Sequence, residues 1–334
     1  MHFALAEEQA ELAAMVRSLL EKRAGSTAVR TAMASPDGFD LALWQTMCEQ
    51  VGVAALPVPE EHEGAGASLF ETALVLEEVG RSLAPSPLLA HAIATAAVML
   101  HGSADQHAEL LPRLAAGRIG TVVWDAPACG LVLDGSAAEL LLGFDGGRLV
   151  ELDVTAERVP AMDPTLLLAR PATPPRPGDS PEDLRDVAMA LATAVMVGVM
   201  RRGLDMSVAY SKEREQFGRP IGGFQALKHR MADLLVLVEA SRSASWAASA
   251  TAAAYLLDRS DAHRATLRQR AAVAQAWCSD AVLQVASETV QLHGGIAITW
   301  EHDAHLVLKR AQALAQLFGQ AHRHRAAVLD ARGR

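Results

Sequence analysis

Apolar positions recur at helical spacing through most of this 334-residue chain, and one region departs from that texture. From Ala6 to Arg118 helical segments alternate with the breakers Ser35-Pro36-Asp37-Gly38, Leu56-Pro57-Val58-Pro59 and Ala84-Pro85-Ser86-Pro87. Within that stretch Leu69, Ala73, Leu76 and Gly80 fall at i, i+4, i+7 and i+11, which turns one helix face toward a core. The acidic pair Glu77-Glu78 lies beside that face and reads as its solvated edge rather than as catalytic.

Between Gly120 and Gly178 short apolar runs take over, Thr121 to Trp124, Leu131 to Leu133, Leu140 to Leu142 and Leu149 to Leu152, separated by turn residues. These predict strands. Phe144-Asp145-Gly146-Gly147-Arg148 predicts a hairpin, because Asp-Gly and Gly-Gly supply the positive φ that tight turns require. The region ends in the proline-rich run Arg170 to Gly178, which continues neither helix nor central strand and predicts a linker. Ser180-Pro181-Glu182-Asp183 then opens a helix, with a capping hydroxyl, proline at the first turn and acids at the positive dipole end.

Long helices are predicted to about Ser211, from Gln225 to Asp258, from Ala262 to His293 and from Asp303 to Arg325, with a four-helix bundle as the economical arrangement. The expected organisation is therefore mainly α: an N-terminal helical domain (1–119), a reduced β domain with linker (120–178) and a C-terminal helical bundle (179–334). The longest apolar run, Val187 to Met200, is shorter than the roughly 20 residues of a membrane span and predicts a buried core helix.

Composition narrows the classes. Hydrophobic residues make up 51% and charged residues 21%, enough for a sizeable core, while the 4% aromatic share and the excess of Ala and Leu favour helix over an all-β fold. A formal charge of −9 argues against a nucleic-acid partner. Cys48, Cys129 and Cys278 form no CxxC pair, and Met1 to Gln9 lacks the basic and apolar regions of an export signal, so a reducing cytoplasmic setting without membrane attachment is expected. No GxGxxG, GxxxxGK[ST] or GxSxG is present. His302 and His305, flanked by Glu301 and Asp303, do not match zinc-site spacing, and no metal is expected.

Two helix breaks carry readable chemistry. In Arg214-Glu215-Gln216-Phe217-Gly218-Arg219-Pro220-Ile221-Gly222-Gly223-Phe224-Gln225, Arg214 offers a planar fork to a pyrophosphate. Gln216 adds a polar contact, Phe217 an apolar surface for an adenine-type ring, and the glycines a close backbone approach. An ordinary connection in which Phe217 and Phe224 fill core explains the same residues equally well. In Gln291-Leu292-His293-Gly294-Gly295, Gly294 reads either as a helix C-cap or, with Gln291 and Gly295, as a cofactor contact.

Together these segments resemble the acyl-CoA dehydrogenase family, whose C-terminal domain carries an Arg-x-Gln-Phe-Gly-x-Pro-Ile loop and a Gln-x-x-Gly-Gly segment in this order. Leu5-Ala6-Glu7-Glu8-Gln9, Leu56 to Gly64, Glu77-Glu78-Val79-Gly80-Arg81 and Leu111 to Gly117 look like the family's N-terminal landmarks. The resemblance implies FAD as cofactor and α,β-dehydrogenation of an acyl-CoA thioester. It also implies that Arg214, Gln216, Phe217, Phe224, Gln291, Gly294 and Gly295 reach FAD held by a neighbouring subunit, so that an oligomer is required.

Three departures qualify the resemblance. Val122 to Gly130 replaces the family's Thr-Glu-Pro...Gly-Ser-Asp stretch, and the β region is much shorter than a full family domain. The usual Glu-Gly-Thr base segment is matched by Phe318-Gly319-Gln320, while the alternative base position falls near Ala188, with Asp186 the nearest carboxylate. The catalytic residue is therefore unknown. The favoured reading is the smaller subunit of a heteromeric, α2β2-like dehydrogenase whose homologous partner supplies the glutamate. Related paired enzymes, often acting on steroid side-chain or branched CoA thioesters, share the Gly294 to Asp303 wording, and an electron-transferring flavoprotein is a possible electron acceptor. The alternatives are a non-catalytic scaffold relative and a self-sufficient dehydrogenase or oxidase with an unrecognised base.

Overall fold

The computed structural model describes residues 4–124, 130–172 and 180–330. Most of the predicted linker (Arg170 to Gly178) and the middle of the Val122 to Gly130 stretch, Cys129 included, lie outside the described residues.

The N-terminal helices are α1 (Glu7–Arg23), α2 (Ser26–Ala34), α3 (Leu41–Thr46), α4 (Leu69–Ser82), α5 (Leu88–His101) and α6 (Ala104–Ala115). Each breaker does what its chemistry requires. Ser68 opens α4 in a reciprocal capping box with Glu71, and Pro87 precedes the first residue of α5. α5 is apolar on nearly every side and correspondingly buried.

Next come β1 (Gly120–Val122), β2 (Val132–Leu133), β3 (Leu140–Asp145), β4 (Arg148–Glu151), β5 (Ala156–Val159) and β6 (Leu168–Pro171). One sheet runs β1-β3-β4, with β1 parallel to β3 and a β3–β4 hairpin closed by Gly146 and Gly147, both at positive φ as the turn reading requires. The other runs β2-β6-β5, all antiparallel. Val123, Val132, Leu141 and Ala169 form a small core of their own, and Thr121 Oγ1 donates to the Leu133 carbonyl at 2.6 Å. The strands β5 and β6 were not predicted: Ala156-Glu157-Arg158-Val159 shows no apolar alternation, and pairing rather than patterning makes it a strand.

This β layer is latched to the helices by a buried ion pair. Arg310 Nε lies 2.7 Å from Asp163 Oδ2, and the guanidinium also donates to the Thr165 hydroxyl and carbonyl. Asp134 sits beside it with its carboxyl pushed up to about 8 by burial, offset only in part by Arg310.

The C-terminal part comprises α7 (Glu182–Glu213), a small hairpin of β7 (Glu215–Gln216) and β8 (Arg219–Pro220), α8 (Gln225–Leu257), α9 (Asp261–His293), α10 (Ala304–Gln316) and α11 (Ala321–Asp330). The last predicted helix is thus two, broken at Leu317 to Gln320 with Gly319 at φ +104°, a conformation that leaves the α-helical region. α7 is the central strut. It is the one described helix long and apolar enough to cross a membrane, and 89% of that window is buried inside the protein.

α4 and α7 meet backbone to backbone. A Cβ at Gly198 would lie 1.9 Å from the Glu77 carbonyl oxygen, and one at Gly80 would lie 2.3 Å from that of Val195. The face predicted through Gly80 is therefore the α7 contact. The acidic pair beside it departs from the solvated-edge reading, because both carboxylates are buried and ion-paired. Glu77 accepts from Arg242 Nε at 2.8 Å and Trp246 Nε1 at 3.2 Å, and Glu78 takes a two-point contact from Arg17. Burial still drives the Glu77 carboxyl up, against the pull of Arg242.

Candidate functional site

α7 ends as the backbone of Arg214 turns extended, its N–H donating to the Tyr210 carbonyl at 2.9 Å. The β7–β8 hairpin that follows is closed by Phe217 and Gly218, both left-handed at φ +55° and +73°. A bulky side chain in that region costs about 1–2 kcal/mol, yet Phe217 is 92% exposed and gains in return only an edge-on contact with Phe224. The core-filling explanation therefore fails for Phe217. Phe224 is half-buried, with the Phe217 ring edge-on at 6.1 Å and the Arg219 guanidinium 4.1 Å above it. Ile221 N–H returns to the Arg214 carbonyl at 2.8 Å, and Gly222 admits the fold-back because a Cβ there would press on the Ser211 carbonyl at 2.9 Å. Arg214 and Gln216 are exposed; Gln216 Nε2 reaches only its neighbour's carbonyl, and no described residue pairs with the Arg214 guanidinium.

α9 ends at His293. Gly294 caps it at φ +63°, ψ −141°, a conformation essentially restricted to glycine, and a 3-10 segment runs from Gly294 to Ile298. A Cβ added at Gly294 or Gly295 would meet nothing within 4 Å, so this backbone forms an open ledge. Gln291 is exposed beside it, and Ile296, Ile298 and Trp300 project apolar surface from the same break, Ile298 being 80% exposed.

The C-terminus of α7, the N-terminus of α8 and the C-terminus of α9 share one end of the bundle. Arg230 near the start of α8 donates to Glu288 near the end of α9 at 2.8 Å. The Tyr210 ring stacks on His293 with centroids 4.7 Å apart and planes 28° apart. The two breaks singled out in the sequence are thus neighbours, and they present an unpaired guanidinium, an exposed phenyl ring and open glycine backbone. Those features fit a nucleotide with an anionic pyrophosphate approaching from outside the chain.

At the positions matching the family's base, the side chains are apolar. Phe318 is half-buried, its ring edge-on to Trp124 at 5.8 Å, and Ala188 is fully buried in α7. Asp186 is buried, and its carboxyl is pushed up to about 7, chiefly by desolvation with Arg268 on α9 pulling the other way. At 100° per residue it projects some 200° round the helix from Ala188. It also lies about 40 Å along α7 from Arg214. Nearby, Asp183 accepts from Tyr255 Oη at 2.8 Å and lies 3.2 Å from His101 Nε2, contacts that hold its carboxyl down at about 2 against the cost of burial.

The histidines of the Trp300 to His305 segment serve local structure: His302 Nδ1 accepts the Ala304 N–H at 3.2 Å, and His305 Nε2 bonds the Trp300 carbonyl at 3.1 Å. Asp303 ties that segment to two other elements, accepting from Ser26 and Arg30 of α2 and Arg202 of α7. Sequence reasoning missed Tyr210 and His293, whose only signal is that each stands on the last turn before a break.

The family models for the acyl-CoA dehydrogenase N-terminal and C-terminal domains match residues 6–118 and 188–331. The chain is 44% identical over 319 residues to acyl-CoA dehydrogenase IpdE2 of Mycolicibacterium smegmatis, covering 94% of this chain and 96% of that one. It is 43% identical to IpdE2 of Mycobacterium tuberculosis, with 93% of each covered. Among solved structures, a variant of the Tcur3481-Tcur3483 steroid ACAD superposes with a TM-score of 0.83 at 28% identity, over 98% of both chains.

Proposed function

Because this chain belongs to the acyl-CoA dehydrogenase family, we propose that it is the smaller subunit of a heteromeric, FAD-dependent acyl-CoA dehydrogenase whose homologous partner supplies the catalytic glutamate. One observation carries the reading. The groups suited to a nucleotide all face outward at one end of the bundle, while the positions matching the family's base are occupied by Phe318 and Ala188.

In this arrangement Arg214 would neutralise the pyrophosphate, and Gln216, Gln291 and the Gly294-Gly295 backbone would supply neutral contacts. Phe217 would give up its exposed surface to the nucleotide or the adjoining subunit, and Phe224 with Arg219 would brace it from behind. The flavin, when bound, accepts the hydride from the substrate's β-carbon. This chain's own residues bind, orient and exclude water; α-proton removal falls to a carboxylate on the partner. The substrate is proposed to be a bulky, steroid-type or branched acyl-CoA, in keeping with the Gly294 to Asp303 wording and with the steroid ACAD whose fold the chain shares. An electron-transferring flavoprotein is the proposed acceptor.

Co-expression with the homologous partner tests the reading. The purified complex is expected to carry FAD that acyl-CoA bleaches, and Arg214→Ala is expected to weaken FAD binding by about 10- to 100-fold, the range for a lost charge-assisted contact. A partner that holds FAD and turns over fully without this chain would overturn it. Asp186, with its carboxyl near 7, is the one observation favouring a self-sufficient enzyme. Its projection away from the Ala188 side of α7 opposes that alternative.

A further inference from the structure

We propose that Tyr210 and His293 are positioning residues: their stacked rings hold the glycine ledge after α9 in register with the arginine hairpin after α7. The proposal rests on reading this end of the bundle as the nucleotide-contact face. Both breaks are anchored at their bases but open at their tips. Gly294 and Gly295 lack side chains and have open space around them, and the Phe217-Gly218 tip is bare to solvent. Each break is flanked on its helical side by one ring that reaches the other helix.

Tyr210 acts at both levels. Its carbonyl accepts the Arg214 N–H in the last backbone bond of α7, and its ring lies 4.7 Å from that of His293. His293 is buried and immediately precedes the ledge. Its Nδ1 lies 2.7 Å from the Thr289 carbonyl, which can only accept, so Nδ1 carries a proton. The His293 ring also lies 4.7 Å from His302, whose Nδ1 accepts the Ala304 N–H and is therefore bare. Three rings thus run from the end of α7 across the end of α9 to the start of α10.

Spacing along the helices makes the stack possible. Gly203 stands two turns before Tyr210 on the same face of α7, and Thr289 stands one turn before His293 on α9. A Cβ at Gly203 would come within 2.6 Å of Thr289 Oγ1, so glycine there lets the helices close to the distance at which the rings meet. Burial keeps both histidines below their usual range, and the charged or titratable neighbours of His302 are His293, His305 and Arg202 against the single carboxylate of Asp303.

The test is FAD affinity of the co-expressed complex, measured by flavin fluorescence on reconstituting the apo-complex, together with its melting temperature without FAD. Tyr210→Ala and His293→Ala are each expected to weaken FAD binding about 10-fold, and Tyr210→Phe, which keeps the ring, to restore affinity to within about two-fold of the parent. If Tyr210→Ala does not assemble, Tyr210→Leu, which keeps bulk without a ring, decides in the same way. Wild-type affinity in the ringless variants while Arg214→Ala binds weakly would overturn the positioning role alone. So would a Tyr210→Phe complex as weak as Tyr210→Ala, or weakening matched by an equal loss of apo-complex stability. Wild-type affinity in Arg214→Ala would instead remove the nucleotide-face reading on which the proposal stands.

Discussion

Replacing Gly198 by alanine sets two opposing effects against each other, and the structure decides the sign. In the middle of a helix the exchange alone gains about 1 kcal/mol, because glycine loses more backbone entropy than any other residue. Against that, the new methyl would stand 1.9 Å from the Glu77 carbonyl oxygen and 2.6 Å from the Arg81 amide nitrogen, both main-chain atoms of α4. No rotamer change relieves a clash with backbone. Restoring ordinary contact means moving α4 and α7 apart by about 1.5 Å, which loosens dispersion contacts along a fully buried interface and costs about 3 kcal/mol, the upper end of measured overpacking penalties.

The expected net loss is about 2 kcal/mol, or roughly 3 °C in melting midpoint for a chain of this size. Gly80→Ala meets the Val195 carbonyl at 2.3 Å and should behave similarly. The double variant supplies the sharper assay: one separation of the helices relieves both clashes, so its loss should fall short of the sum of the two single losses. Thermal and urea unfolding of the four proteins measure this. A Gly198→Ala protein that melts higher than the parent would refute the backbone-contact argument outright.

Three further outcomes follow from carboxyls, those of Asp183 and Asp186 buried and that of Asp303 half-buried. Asp186→Asn should leave turnover of the complex intact, and because the folded carboxyl is raised to about 7 it resists ionising where the unfolded one does not. Its removal should therefore stabilise progressively as pH rises from about 4 to 7, read as melting temperature against pH; abolished turnover would make Asp186 the base after all. Asp183 works in the opposite sense: its carboxyl is held down at about 2, so its contribution is complete above about pH 4 and is lost on acidification toward pH 2. Asp183→Asn should flatten that part of the acid-unfolding profile by roughly 1–2 kcal/mol. Asp303→Ala leaves Arg30 and Arg202 without their shared carboxylate and should cost about 1–2 kcal/mol, with α2 the first element to gain amide exchange.

Much of the fold was legible because it is helical and locally encoded. Ser180-Pro181-Glu182-Asp183 announced where α7 begins, although Pro181 rather than Ser180 stands at the cap position; Gly146-Gly147 announced the β3–β4 turn, and the apolar run after Asp186 announced the core strut. The unread parts depend on contacts between distant segments. Ala156 to Val159 becomes a strand by pairing with β6, and Glu77-Glu78 are buried because Arg17 and Arg242 arrive from α1 and α8. The expected last helix missed its break because Gly319 was one residue in an otherwise helical composition. At the candidate site the two motifs were visible as wording, whereas the rings that join them were not, since nothing local marks Tyr210 as the residue that will face His293.

Phe217, Ile298 and Trp300 also bear on how such a subunit has to be made. A water-facing phenyl ring on a turn tip, near an isoleucine and an indole on the adjoining ledge, gives newly synthesised copies an adhesive end before any counterpart arrives. With that end uncovered, copies would adhere to one another, which the partner subunit proposed above would relieve. Production of this chain by itself should give a low soluble yield, raised by exchanging Phe217 for a polar residue or by co-expressing the proposed partner.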